Sequence, residues 1–164
     1  MRKRTIALIA ILTALLAACT EKTDYNTLLV RADSLMNLHP DSALHMLESI
    51  STDSLSTKAD RAYHALLLTQ ARDKNYMVQT DDSLIQVAVR YYDTHEDALL
   101  QARAYYYWGC VYRDMKKAEE AVTSFLTANI LAKKTKNIRL QSLICNNIGY
   151  LYYEQDLNEQ ADSI

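Results

Sequence analysis

The chain is 164 residues long, 49% apolar and carries a formal net charge of −2. That length suits one domain, the apolar share excludes a disordered tail, and the slight acidity leaves no basic stripe for nucleic acid. Two glycines and one proline are all that is present, and strand-rich folds need frequent turn residues, so an all-α fold is predicted. Twelve tyrosines against one Phe and one Trp suit half-buried helix surfaces and binding grooves, because the ring is apolar and its tip polar.

The chain opens on Arg2, Lys3 and Arg4, followed by an apolar run from Ile6 to Ala18. A bilayer crossing needs about 20 residues, so this shorter run reads as a secretory signal rather than an uncleaved anchor. Leu16-Ala17-Ala18-Cys19 resembles the lipobox of bacterial lipoproteins. The resemblance implies cleavage before Cys19 and a diacylglycerol on its thiol, with ordinary secretion of a soluble product as the alternative. Residues 1–18 are then a lipoprotein signal peptide, 19–23 the lipidated cysteine and a polar tether, and 24–164 a folded domain outside the cytoplasm. Acyl chains contribute about 0.8 kcal/mol per buried methylene, so several hold firmly. Removing the three leader cations leaves 15 of the 18 basic groups against 20 acidic ones, a formal net of −5. Thr20 rather than aspartate follows Cys19, which leaves open whether the inner or the outer membrane receives the anchor.

A first helix is predicted over about Asp24–Leu38, with Leu28, Leu35 and Leu38 on one face. Pro40 fits the first turn of a second, where its missing N–H costs nothing, and Asp41 favours that positive end; this helix runs to about Ile50 and buries Ala43, Leu44, Leu47 and Ile50. Thr57-Lys58-Ala59-Asp60 forms a capping box opening a third helix to about Lys74. Asp81 or Asp82 caps a fourth, carrying Leu84, Ile85, Val87 and Ala88. Thr94-His95-Glu96-Asp97 opens a fifth to about Asp114, a sixth covers Lys117–Lys134, and a seventh runs from near Asn137 to near Gln155. An eighth begins at about Asn158 and has barely two turns, so the chain is expected to be cut within its last repeat, with more to follow. Cys110 and Cys145 read as buried free thiols rather than a disulfide, since both lie in apolar helical stretches.

Small residues recur. Ala43, Ser83, Ala121 and Ala161 are separated by 40, 38 and 40 residues, and Gly109 and Gly149 by 40, as close helix crossings in a repeat array require. Tyr105-x2-Trp108-Gly109-x2-Tyr112-x8-Ala121-x3-Phe125-x2-Ala128 resembles a tetratricopeptide repeat (TPR), with Lys133 where the closing proline usually stands. Cys145-x2-Ile148-Gly149-x2-Tyr152-x8-Ala161 repeats the pattern, and Arg61-Ala62-Tyr63 aligns with Arg103-Ala104-Tyr105, placing Leu67 at the glycine position. The resemblance implies an antiparallel helix-hairpin repeat array, a right-handed α-solenoid of about 3.5 repeats. The whole is similar to the N-terminal part of the TPR lipoproteins common in Bacteroidetes. In such an array a hairpin shares its core with its neighbours. Gly109 and Gly149 then admit a close partner helix, Ala121 and Ala161 do so from the facing side, and Phe125 fills the space between units.

Catalytic constellations are missing from the sequence. His39, His45, His64 and His95 have no metal-ligand spacing, Cys110 and Cys145 lack a CxxC partner, and there is no phosphate loop or GxSxG elbow. Asp81-Asp82 and Glu119-Glu120 sit at helix starts, where negative charge is favourable. No enzymatic activity, cofactor or metal is therefore expected. Lys133, Lys134, Lys136 and Arg139 read as a cationic helix C-terminus rather than a lipid-headgroup contact. The TPR resemblance implies a concave groove that binds extended peptides. Residues between the packing positions would line it: Arg61 and His64, then Arg103, Tyr106, Tyr107 and Arg113, then Asn146, Asn147, Tyr150 and Tyr153. Asparagine both donates to and accepts from a backbone, arginine forks onto carboxylates, and tyrosine gives contact area at low entropic cost. The expected function is a lipid-anchored scaffold for protein–protein contacts outside the cytoplasm, with a protein or peptide partner and no nucleic acid. The sensor region of a membrane-spanning regulator is the alternative, and a SusD-like glycan-binding lipoprotein ranks third, since Trp108 is the sole Trp.

Overall fold

The structure is a computed structural model that describes the backbone of residues 26–161 and side chains through 155. The expected leader, Cys19 and the expected tether lie outside the described residues. Among these residues the chain forms seven α-helices, one 3₁₀ turn (Thr52–Ser54) and no strand. The helices are α1 (Thr27–Leu35), α2 (Pro40–Glu48), α3 (Lys58–Lys74), α4 (Ser83–Tyr92), α5 (Ala98–Asp114), α6 (Ala118–Lys134) and α7 (Ile138–Ala161). The all-α expectation holds.

Local chemistry sets most of the ends. Asn26 caps α1 by accepting from the Leu28 N–H at 2.9 Å. Thr57 accepts the Asp60 N–H at 2.9 Å, while the Asp60 carboxylate takes both the Thr57 hydroxyl and, across 34 residues, the Asn26 N–H at 2.8 Å. The cap of α3 thus also fixes where the chain enters. Pro40 opens α2 as expected. The start of α5 differs from its prediction: Asp97, not Thr94, is the cap, accepting the Leu100 N–H at 2.9 Å. The Thr94 hydroxyl instead donates to the Tyr91 carbonyl in the last turn of α4. At α4, Asp81 accepts the Ser83 N–H, which frees Asp82 for other partners.

The helices α3, α5 and α7 begin at Lys58, Ala98 and Ile138, a spacing of 40 residues. Helices α3 and α5 also end alike. Tyr76 and Lys116 adopt left-handed backbone at φ 58° and 62°. Met77 N–H reaches back to the Arg72 carbonyl, and Lys117 N–H to that of Tyr112, as a Schellman stop requires. A side chain in this conformation costs about 1–2 kcal/mol, and at both stops, where Tyr76 and Lys116 are exposed, these backbone hydrogen bonds offset it. The register of 40 pairs Tyr63 with Arg103 and Thr69 with Gly109; the expected alignment of Arg61 with Arg103, and of Leu67 with the glycine, is off by two residues.

Helix α7 departs from expectation. It is one continuous helix to Ala161, so the two segments predicted on either side of about residue 157 are not separate and Ala161 lies on α7 rather than on a facing helix.

Each helix packs on the next in sequence, and α1, α3, α5 and α7 also touch in succession. One apolar core runs through them, built on Leu29, Met36, Leu47, Leu66, Ile85 and Phe125, all at most 1% exposed. The stripe of α1 is Leu29, Ala32 and Met36; Leu28 and Leu38, expected on the buried face, are exposed. Ala43, Leu44, Leu47 and Ile50 are buried as predicted, and so are Ile85 and Ala88, whereas Val87 is exposed. Cys110 is buried and Cys145 exposed, both as free thiols; the expected burial of Cys145 does not hold.

The tightest crossing joins α5 to α6. A Cβ on Gly109 would lie 2.5 Å from the Phe125 ring, and Ala121, Phe125 and Ala128 are fully buried. Trp108 stacks on Tyr112 at 5.4 Å, and its indole N–H donates to Asp82 on the neighbouring loop at 2.9 Å. Tyr105 donates to Asp93 beyond the end of α4. The matching positions of α7 are different: Gly149 is exposed with nothing within 4 Å of an added Cβ, Tyr152 is exposed, and Ile148 is half-buried. Among the described residues no helix covers that face.

The two glycines should therefore respond oppositely. Gly109→Ala forces the Phe125 ring aside and should cost about 1–3 kcal/mol. Gly149→Ala only removes backbone freedom from an exposed helix and should add about 0.5–1 kcal/mol. Phe125→Ala should cost about 3–5 kcal/mol. Urea unfolding of the three variants checks all three signs.

Candidate functional site

Polar side chains of α1, α3, α5 and α7 meet on one side of the molecule. Asp33 stands on α1, beside the buried Ala32. Arg103 of α5 reaches over to it with both arms of its fork, at 2.7 and 3.0 Å, and gives a further hydrogen bond of 2.6 Å to the Gln70 amide oxygen. Tyr63 of α3 donates to the same carboxylate at 2.7 Å. Bidentate charge-assisted contacts of this kind fix orientation as well as energy. Burial would push the Asp33 carboxyl up, but the Arg103 fork, its charge and the Tyr63 hydroxyl outweigh it and hold the group below its ordinary value. Burial and the Asp33 carboxylate push the Tyr63 hydroxyl well up, so it remains a donor.

A second knot lies further along α5. Arg113 donates to Asp73 of α3 at 2.9 Å, to its neighbour Asp114 at 3.1 Å, and to the Asn147 oxygen of α7 at 2.7 Å. Asn147 returns a hydrogen bond of 3.1 Å to the Tyr106 hydroxyl. Burial raises both the Tyr106 and Tyr107 hydroxyls far above the usual phenol range, and raises the Cys110 thiol beneath them.

Near the first knot, α3, α5 and α7 enclose a cleft of about 230 Å³. Leu99, Leu140 and Leu143 give it an apolar floor, and Lys74, Arg103 and Arg139 put three cations on its walls against the single carboxylate of Asp33. Lys74 and Arg139 make no hydrogen bond or ion pair among the described residues; the nearby Asp73 is taken by Arg113.

The expected groove residues divide into two groups. Arg103, Arg113 and Asn147 come together on this side but are engaged with one another's helices. Asn146, Tyr150 and Tyr153 are exposed along α7, though Tyr150 also donates to Glu154. Tyr107, though only 5% exposed, lines the cleft. Three expectations fail. His64 is buried, its Nε2 2.9 Å from the Leu47 carbonyl, and so packs on α2. Tyr106 is 4% exposed, because α5 is covered on more than one side; it lies against Phe125 at 5.6 Å between ring centres. Arg61 is exposed but reaches the Leu55 carbonyl at 2.6 Å, away from the cleft.

Sequence reasoning missed Asp33, Gln70, Asp73 and Lys74. Gln70 and Thr69 close the run Ala62–Ala71 in which every residue is buried, and a polar pair in such a stretch is the signal that could have been used. Arg139 was read with the α6 C-terminus, yet it stands in the first turn of α7. Among the described residues no group of His, Cys, Asp and Glu could hold a metal, and no helix is long and apolar enough to cross a membrane.

No family model, curated protein or solved structure matches the chain. The class defined by its coordinates is an all-α protein with a basic cleft between alternate helices.

Asp33→Asn should cost about 1–3 kcal/mol at pH 7, since it leaves the Arg103 fork half-satisfied. The folded carboxyl titrates below its unfolded value of about 3.9. Its contribution is therefore complete above that pH and is lost as pH falls through the folded value. Urea unfolding at pH 7 and at successively lower pH should show the variant's deficit largest at pH 7 and shrinking once pH falls below about 3.9.

Proposed function

We propose that the chain is a lipid-anchored TPR-like protein that holds peptide segments of other proteins outside the cytoplasm, without chemistry of its own. The observation that carries this reading is the open cleft between α3, α5 and α7, polar on its walls and apolar on its floor, continued along α7 by the exposed Asn146, Tyr150 and Tyr153. A segment lying there meets donors and acceptors for its backbone and aromatic surface for its side chains.

Three features support the repeat reading. The helix starts recur at 40 residues, the two left-handed stops share that spacing, and the alternate helices touch in succession. Stacked hairpins that bury one another's flanks produce this pattern. The anchor rests on the sequence Leu16-Ala17-Ala18-Cys19, and the ends of acyl chains at Cys19 would hold the domain close to a membrane through a few polar residues.

Two measurements test the proposal. Cys19→Ala should release the protein from the membrane fraction; unchanged retention rejects the anchor. Peptides selected by display against the whole chain should bind at least about tenfold more weakly to the double variant Asn146→Ala, Tyr150→Ala. They should bind equally to Leu126→Ala, a change at an exposed residue of α6 that does not line the cleft. The reverse ranking rejects the groove.

A further inference from the structure

We infer that the cleft between α3, α5 and α7 selects acidic peptide segments, with Lys74 and Arg139 as the two groups that grip the ligand's carboxylate; this rests on the peptide-groove reading above and narrows its ligand. The cleft gathers three cations and one carboxylate in a chain whose overall charge is negative. The carboxylate, Asp33, is consumed by both arms of Arg103, which also serves Gln70. Arg103 therefore contributes its field and leaves the contact to the other two.

Lys74, in the last turn of α3, and Arg139 bring like charges together at the cleft. Burial lowers the Lys74 ammonium's affinity for its proton, and the charge of Arg139 lowers it further, with Asp73 and Arg103 acting in opposite directions. Arg139 occupies the first turn of α7, where a cation faces the positive end of the helix. Among the described residues neither group has a hydrogen bond or an ion pair, and Asp73 is already held by Arg113. Like charges brought together repel, and an anion between them relieves that repulsion and gains charge-assisted hydrogen bonds.

The floor decides what carries the anion. Leu99, Leu140 and Leu143 lie beside the cations, so the cleft fits a carboxylate with hydrocarbon next to it. An acidic residue flanked by an aliphatic one supplies both, and a bare inorganic anion leaves the floor uncovered.

The test is a titration of the full chain, by fluorescence anisotropy at low ionic strength, with a labelled octapeptide of alternating Glu and Leu and with its Gln-for-Glu counterpart. The Glu peptide should bind at least about tenfold tighter, the weight of one charge-assisted hydrogen bond or more. The double variant Lys74→Gln, Arg139→Gln should erase that preference while melting no lower than the parent, because it removes a repulsion. Arg139→Gln alone, at an exposed site, gives the same reading should the pair fail to fold. Equal binding of the two peptides, or a preference that survives in the variants, overturns the acid selectivity and leaves the groove itself standing. Failure of both peptides to bind overturns both. Displacement of the Glu peptide by millimolar phosphate at constant ionic strength would reassign the cleft to small anions and overturn the peptide assignment.

Discussion

Arg103 is the hinge of the molecule's design. It stands on α5, yet its guanidinium is held by a carboxylate on α1, 70 residues away, with a hydroxyl and an amide of α3 in the same knot. Helices α1 and α5 each pack on α3, and the Arg103 side chain bridges them beside the cleft. Salt bridges this exposed contribute modestly in general. This one has two-pronged geometry and two further hydrogen-bond partners, so its larger contribution is to orientation.

The apolar side of the same helix has a different constraint. Gly109 lets the Phe125 ring sit where a methyl group would be, and Trp108 ties the far flank of α5 to Asp82. Burial and the Asp82 carboxylate push the adjoining Tyr112 hydroxyl up to about 12, which keeps it protonated. Helix α5 is thus gripped on opposite flanks. That explains why Tyr106 and Tyr107, whose rings meet edge to face at 4.9 Å between centres, are both buried.

What the sequence made legible is what depends on neighbours in the chain. Pro40, Thr57 and the ends of α3 and α6 follow from capping and turn chemistry within a few residues. The all-α class follows from the scarcity of glycine and proline. The failures are of another kind. Helical phase puts Tyr106 and His64 on an open face, and phase does not say how many sides of a helix are covered. Gly149 and Tyr152 copy the pattern of Gly109 and Tyr112, but pattern does not supply the covering helix. Arg139 was grouped with Lys133 and Lys134 by proximity, although a turn between α6 and α7 sends it elsewhere. Asp33 and Lys74 become meaningful only once α1, α3 and α7 are side by side.

The order in which the helices touch has a kinetic consequence. Each packs on the next, and α1, α3, α5 and α7 also touch in succession, so nearly every pairing closes a short loop. Chains with such local wiring cross their folding barrier quickly, because little entropy is spent before contacts reward it. The Asp33–Arg103 pair, 70 residues apart, is the longest-range side-chain link among the described residues, so its closure carries the largest loop entropy of any such contact.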